Sequence, residues 1–143
     1  MTAIFSPFWT QLEALVAEFG LPIDALVILG NQSIREYCSQ IGFPELETSN
    51  TRAAKCIKSV SGPMFLLWDH TDPVDAMVPI CGRGFPREDI EKLDDPAVFA
   101  MHLLLHEIAH YLRLDLHQDL PTGEIERDCD AWAFEQLKRF RSA

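Results

Sequence analysis

The chain has 143 residues, 48% of them hydrophobic, which is the size of one globular domain able to bury a core without disulfide or metal staples. Lys and Arg number 12 against 22 Asp and Glu, a formal net charge of -10. A phosphate backbone is gripped by neutralising it with basic side chains, so this balance argues against nucleic acid as the main partner and against an anionic membrane surface.

In chain order, Ser6-Pro7 starts a helix whose apolar residues Phe8, Leu12, Leu15, Val16 and Phe19 follow at helical spacing, with Gly20 as the stop. A short segment around Ile23–Leu29 reads as helical, and so does Ser33–Ile41, which ends at Gly42. The middle of the chain changes period: Ala53–Val60, Pro63–Trp68 and Val74–Cys81 read as three strands of an antiparallel sheet. Pro79 has no N–H to give a ladder, which puts the third of these at an edge. Asp95-Pro96 is an N-cap followed by proline at the first helical position. The pattern Val98, Phe99, Met101, Leu103, Leu104, Leu105, Ile108 and Leu112 then implies a helix buried on most sides. Pro121-Thr122-Gly123 breaks the chain, and Thr122 is the expected cap of a last helix through Ile125, Trp132, Ala133, Leu137 and Phe140. The expected fold is therefore α+β over a single domain, residues 1–143: N-terminal helices, a small three-stranded antiparallel sheet, and two closing helices.

No apolar run approaches the roughly 18 residues that cross a bilayer. The opening MTAIFSPFW has neither the basic nor the apolar region of a secretory signal. The cysteines Cys38, Cys56, Cys81 and Cys129 form no Cys-x-x-Cys pair, so neither a zinc ribbon nor a thioredoxin motif is present. A cytoplasmic protein with unbridged thiols is the economical expectation.

The chemistry sits on the penultimate helix, in His106-Glu107-Ile108-Ala109-His110, an H-E-x-x-H motif. Histidines four apart share one helix face, so both imidazoles can reach a single zinc ion, and Glu107 lies close enough to take a proton from a metal-bound water. Given this composition the motif arises by chance in roughly one such chain in a hundred, so it decides little alone. Glu126 and Asp130 on the next helix bring the coincidence down to about one in five hundred. Glu126 can bind the metal as a third ligand while Asp130 accepts a hydrogen bond from a ligand imidazole and fixes its tautomer; the alternative is a solvated helix N-terminus, where the dipole favours acids.

AVFAMHLLLHEIAHYLRLD followed by EIERDCDAWAF resembles the ImmA/IrrE family of zincin-like metallopeptidases, across about the last 45 residues. In place of that family's Glu-x-x-Ala-Asp-x-Phe-Ala this chain has Glu126-Arg127-Asp128-Cys129-Asp130-Ala131-Trp132-Ala133, with Cys129 where Ala is usual and Ala109 where Gly is frequent. The resemblance implies a zincin-like fold, zinc on His106, His110 and Glu126, and Glu107 as general base for hydrolysis of a peptide bond. It also implies a protein or peptide substrate, and by analogy a regulatory protease acting on a transcriptional repressor. The alternative is a zincin-fold binding module that grips its partner, as an antirepressor or inhibitor, without proteolysis.

Other residues carry weaker signals. A metzincin needs Gly at 113 and His at 116, where this chain has Arg113 and Leu116. His117 is read as a surface or substrate-contacting residue, with metal ligation the lesser alternative. His102 is a core or supporting histidine, because residues at the two ends of a three-histidine helical row stand about 12 Å apart and cannot surround one ion. Tyr111 and Arg113 are candidates for oxyanion contacts, although a packing role is commoner for Tyr111. His70, at the end of the second predicted strand, is equally open. A cysteine as inhibitory fourth ligand is possible, against the commoner buried inert thiol. An extended substrate is expected to pair with the predicted edge strand Val74–Ile80.

Overall fold

The computed structural model describes residues 3–43 and 52–141. Helix starts follow the capping chemistry of the sequence. A 3-10 turn at Ser6–Phe8, with Pro7 in its first turn, runs into α1 (Trp9–Glu18), and Gly20 leaves it at φ 69. Ser33 caps α2 (Ile34–Gln40) in a reciprocal box, its hydroxyl accepting from the Glu36 N–H while the Glu36 carboxylate accepts from the Ser33 N–H. Asp95 caps α5 (Pro96–Leu112), accepting from the N–H groups of Ala97 at 2.9 Å and Val98 at 3.3 Å. A short α6 (Leu114–His117) then leads to the last helix, α7 (Thr122–Arg141).

The sheet has three strands, β1 (Leu26–Leu29), β2 (Ala54–Ser59) and β3 (Gly62–Trp68), in the order β1-β3-β2. β2 and β3 form an antiparallel hairpin with Ala54 opposite Leu67 and Cys56 opposite Phe65. β1 lies parallel to β3, Leu26 opposite Phe65 and Leu29 opposite Trp68, which makes the sheet mixed rather than antiparallel. Parallel neighbours need a crossover, and α2 lies in this one.

Two expectations are corrected here. The segment Ile23–Leu29 is a 3-10 turn, Ile23–Ala25, followed by β1, not a helix. Val74–Cys81 is not a strand: α3 (Pro73–Cys81) covers it, with Asp72 as the N-cap accepting from the Val74 N–H at 2.9 Å and Pro73 in the first turn. Its burial has the helical period. Ile80 is buried and Ala76 and Met77 pack on the core, while Val74 and Val78, four apart, are exposed. The chain then turns through Gly84 at φ 81 into α4 (Arg87–Lys92).

Alternation along the strands divides the interior. Leu26, Ile28, Ala54, Cys56, Phe65 and Leu67 face the main core with α1, α5 and α7, whereas Val27, Leu29, Ile57 and Leu66 face the smaller cluster under α2 with Ile34 and Cys38. Asp69, just past β3, is 5% exposed and ties down the N-terminus, accepting from the N–H groups of Phe5 at 2.9 Å and Ser6 at 3.0 Å and from the Ser6 hydroxyl. No disulfide links the cysteines. Among the described residues no helix is long and apolar enough to cross a membrane.

Candidate metal centre

α5 is buried continuously from Val98 to Ala100 and from His102 to Ala109, so its polar side chains are carried into the interior by the apolar ones around them. His106 and His110 lie one turn apart with ring centroids 5.0 Å from each other. α7 packs along α5 and brings Glu126, in its second turn, against both rings. Glu126 Oε2 stands 2.6 Å from His106 Nε2, and Oε1 stands 3.2 Å from His110 Nε2.

One turn further on, Asp130 is 1% exposed and its Oδ1 accepts from His106 Nδ1 at 2.7 Å and from His102 Nε2 at 2.9 Å. An ionised carboxylate only accepts, so His106 carries a proton on Nδ1. Its Nε2, facing Glu126, shares a second proton with that carboxylate. Burial would lower the His106 pKa, but the hydrogen bonds to Asp130 and Glu126 outweigh it and raise the pKa to about 10. For Glu126 and Asp130 burial pushes upward, and the neighbouring imidazoles more than offset it, holding both carboxyls well below the usual carboxylate range. Burial keeps His102 below its ordinary value against the pull of Asp130.

Among the described residues, His102 Nδ1, behind Asp130, has no hydrogen-bond partner, and neither do two buried atoms of the motif residues themselves. One is His110 Nε2, whose approach to Glu126 lacks hydrogen-bond geometry. The other is Oε1 of Glu107, a residue only 4% exposed whose Oε2 lies 3.9 Å from His106 Nε2. Leaving such groups unpaired costs about 1–3 kcal/mol each, so they point to a site shaped for something other than protein. Two imidazole nitrogens and a carboxylate are a zinc donor set, and a divalent ion would replace the proton that His106 Nε2 and Glu126 share, with the 2.6 Å between them widening to make room. His106, His110 and Glu126 could therefore hold one such ion. Cys129 is also near: one donor atom from each of His106, His110 and Cys129 lies within 4.8 Å of the others.

A cavity of about 430 Å³ opens over these groups, lined by Arg52, Ala53 and Ala54 at the start of β2, by Ile80 and Arg83, and by His106, Glu107, Glu126 and Asp130. The edge strand beside it is thus β2, which replaces Val74–Ile80 as the strand available for pairing; the latter is helical and contributes Asp75, Ala76, Pro79 and Ile80 to the opposite wall. A larger hollow of about 760 Å³ lies on the other side of α3, lined mainly by apolar groups such as Phe8, Val74, Met77 and Phe99. It contains none of the histidines or their carboxylate partners.

Of the remaining candidates, His117 is buried rather than at the surface, with its ring centroid 6.3 Å from that of His110, and the others lie behind the centre or away from it. His102 is fully buried, its ring tilted 44° against that of Phe134 with centroids 4.4 Å apart, and it meets the site through Asp130. His117 is held at 2.7 Å by Asp128, which also receives Arg113 Nε at 2.7 Å; this cluster ties the turn after α5 to α7. Tyr111 packs edge-on to Phe65 at 6.4 Å, a core contact. His70 is in an exposed turn.

Arg83 was not legible. Its guanidinium pairs with Asp130 Oδ2 and lies 3.7 Å from Glu126 Oε2, so a second cation besides the His106 imidazolium reaches both carboxylates, from the loop after α3. The only local signal is the flanking pair Gly82 and Gly84, the second at positive φ, marking a tight turn. Compared with known proteins, the chain matches no family model, no curated protein and no solved structure.

Proposed function

We propose that the protein is a zinc-dependent metallopeptidase of the zincin type, similar to the ImmA/IrrE group, that hydrolyses a peptide bond in a specific protein. The single observation that carries this reading is the convergence of Glu126 on the Nε2 atoms of both motif histidines, at 2.6 and 3.2 Å, while Asp130 grips the other nitrogen of His106. An accidental H-E-x-x-H has no reason to meet a carboxylate in that register. When bound, zinc supplies a Lewis acid that lowers the pKa of its water and polarises the scissile carbonyl. His106, His110 and Glu126 hold it. Asp130 keeps His106 in the tautomer that offers Nε2. Glu107 stands beside His106 with an unpaired oxygen at the cavity, placed to take the water proton and return it to the leaving amine. An extended substrate lies along β2, the edge strand at the cavity mouth, and adds a strand to the sheet. A transcriptional regulator is the proposed partner class.

The test begins with zinc content. The purified chain is expected to hold about one zinc, and Glu126→Ala prepared identically to hold none. A wild type without zinc after supplementation at neutral pH sinks the reading. With zinc established, Glu107→Gln is expected to keep the metal and lose hydrolysis by 100-fold or more, roughly the contribution of a general base. A wild type that binds zinc and a partner but cleaves nothing leaves the binding-module function instead.

A further inference from the structure

We infer that Cys129 is a fourth, dissociable ligand of this centre, a thiol that closes the coordination sphere and must leave before water can occupy it. The inference rests on the metal-site reading above and concerns how that same site is regulated.

Cys129 is fully buried and sits three residues after Glu126, on the same face of α7. Its sulfur belongs to the group in which one donor atom from each of His106, His110 and Cys129 lies within 4.8 Å of the others. Donors around a tetrahedral zinc stand about 3.5 Å apart, given bonds of roughly 2.0–2.3 Å, so these atoms need to close by only about 1 Å. Side-chain torsions can supply that movement without shifting either helix. A second observation points to a ligand at the same place. Glu107, more than nine-tenths buried, lines the cavity over the site with Oε1 unpartnered, and Nε2 of His110, one of the three residues grouped above, has no hydrogen-bond partner either.

The chemistry of the sulfur differs from that of a packing residue. A small apolar side chain would satisfy the volume; a thiol adds a soft donor that zinc accepts readily. On metal binding the S–H bond breaks, the proton passes to solvent and a sulfur–metal bond forms, with no change of oxidation state. His106, His110, Glu126 and Cys129 then make a closed four-ligand set, the pattern of a structural site, whereas a catalytic site keeps one position open. Dissociation of the sulfur restores the open pattern. In this chain the helix that supplies the third ligand thus also carries the group that shuts the site.

Cobalt reports the ligands directly. The full chain, freed of metal, is loaded with one equivalent of Co2+, and its absorption spectrum is read beside those of Cys129→Ser and of Cys56→Ser/Cys81→Ser. The expected result is a near-ultraviolet sulfur-to-cobalt charge-transfer band together with visible d–d bands in the wild type. The charge-transfer band is lost in Cys129→Ser while bound cobalt is unchanged, and both features persist in the double variant. Visible bands with no charge-transfer band in the wild type overturn the role of Cys129 and leave the His106, His110 and Glu126 site standing. A charge-transfer band that survives Cys129→Ser, or that vanishes in the double variant, overturns it too, because the sulfur is then another residue's. Absence of any cobalt binding overturns both this inference and the metal-site reading. Should Cys129→Ser fail to fold, the wild type and the double variant still decide, because Cys38 lies across the sheet in the cluster under α2.

Discussion

Asp130 shows how much a single carboxylate can organise. It takes hydrogen bonds from His102 and His106 on one oxygen and pairs with Arg83 on the other, all while 1% exposed. Its job in the proposed enzyme is orientation, so Asp130→Ala is expected to weaken zinc binding by about 10–100-fold, measured by competition with a chromogenic chelator. An affinity equal to wild type would mean that His106 keeps its tautomer without help. The motif residues His106, Glu107 and His110 were visible in the sequence because a helix converts spacing into geometry, and Glu126 and Asp130 repeat that logic on the next helix. Arg83 was invisible for the complementary reason. It stands 47 positions before its partner Asp130, and no local period connects a loop arginine to a carboxylate that far along the chain.

At the scale of elements, the sequence was readable where capping and period agreed, as in α2 and α5, and where the helical period was long enough alone, as in α1 and α7, the latter starting at Thr122 itself rather than being capped by it. It misled where two readings shared the same residues. Val74, Val78 and Pro79 suggested a β-branched edge strand, yet Asp72-Pro73 is the same N-cap and proline pair that correctly opened α5 at Asp95-Pro96. The cap and the apolar positions 76, 77 and 80 outweighed β propensity. Removing that cap tests the explanation: Asp72→Ala is expected to cost about 1 kcal/mol, or about 3 °C in Tm by calorimetry. No loss would mean that packing of Ile80 and Met77 alone holds α3. β1 was missed because four residues, Leu26–Leu29, are too short for periodicity to distinguish strand from helix. Its parallel pairing follows from topology, which no window on the sequence contains.

For the whole molecule, the site couples two long helices that already share the main core. A ligand that binds only this arrangement stabilises the fold by mass action, about 2.7 kcal/mol at a hundredfold excess over Kd. Chelation of the zinc-loaded protein is therefore expected to lower Tm by about 8 °C, with scanning calorimetry as the measurement. An identical Tm with and without chelator would show that α5 and α7 are held by their apolar faces alone. Asp69 works on the molecule in another way, joining β3 to the chain's first turn across 64 residues. Such a link has a large loop-closure entropy to overcome and forms after the β2–β3 hairpin, whose partners are close in sequence. The N-terminal helix is therefore expected to dock late, on the native side of the folding barrier. Asp69→Ala is expected to speed unfolding several-fold while leaving the refolding rate nearly unchanged, as read from the two arms of a stopped-flow chevron. A slowed refolding arm would place the N-terminus in the nucleus. Nearly unchanged refolding would mean that through this carboxylate the beginning of the chain sets how long the folded protein lasts more than how quickly it forms.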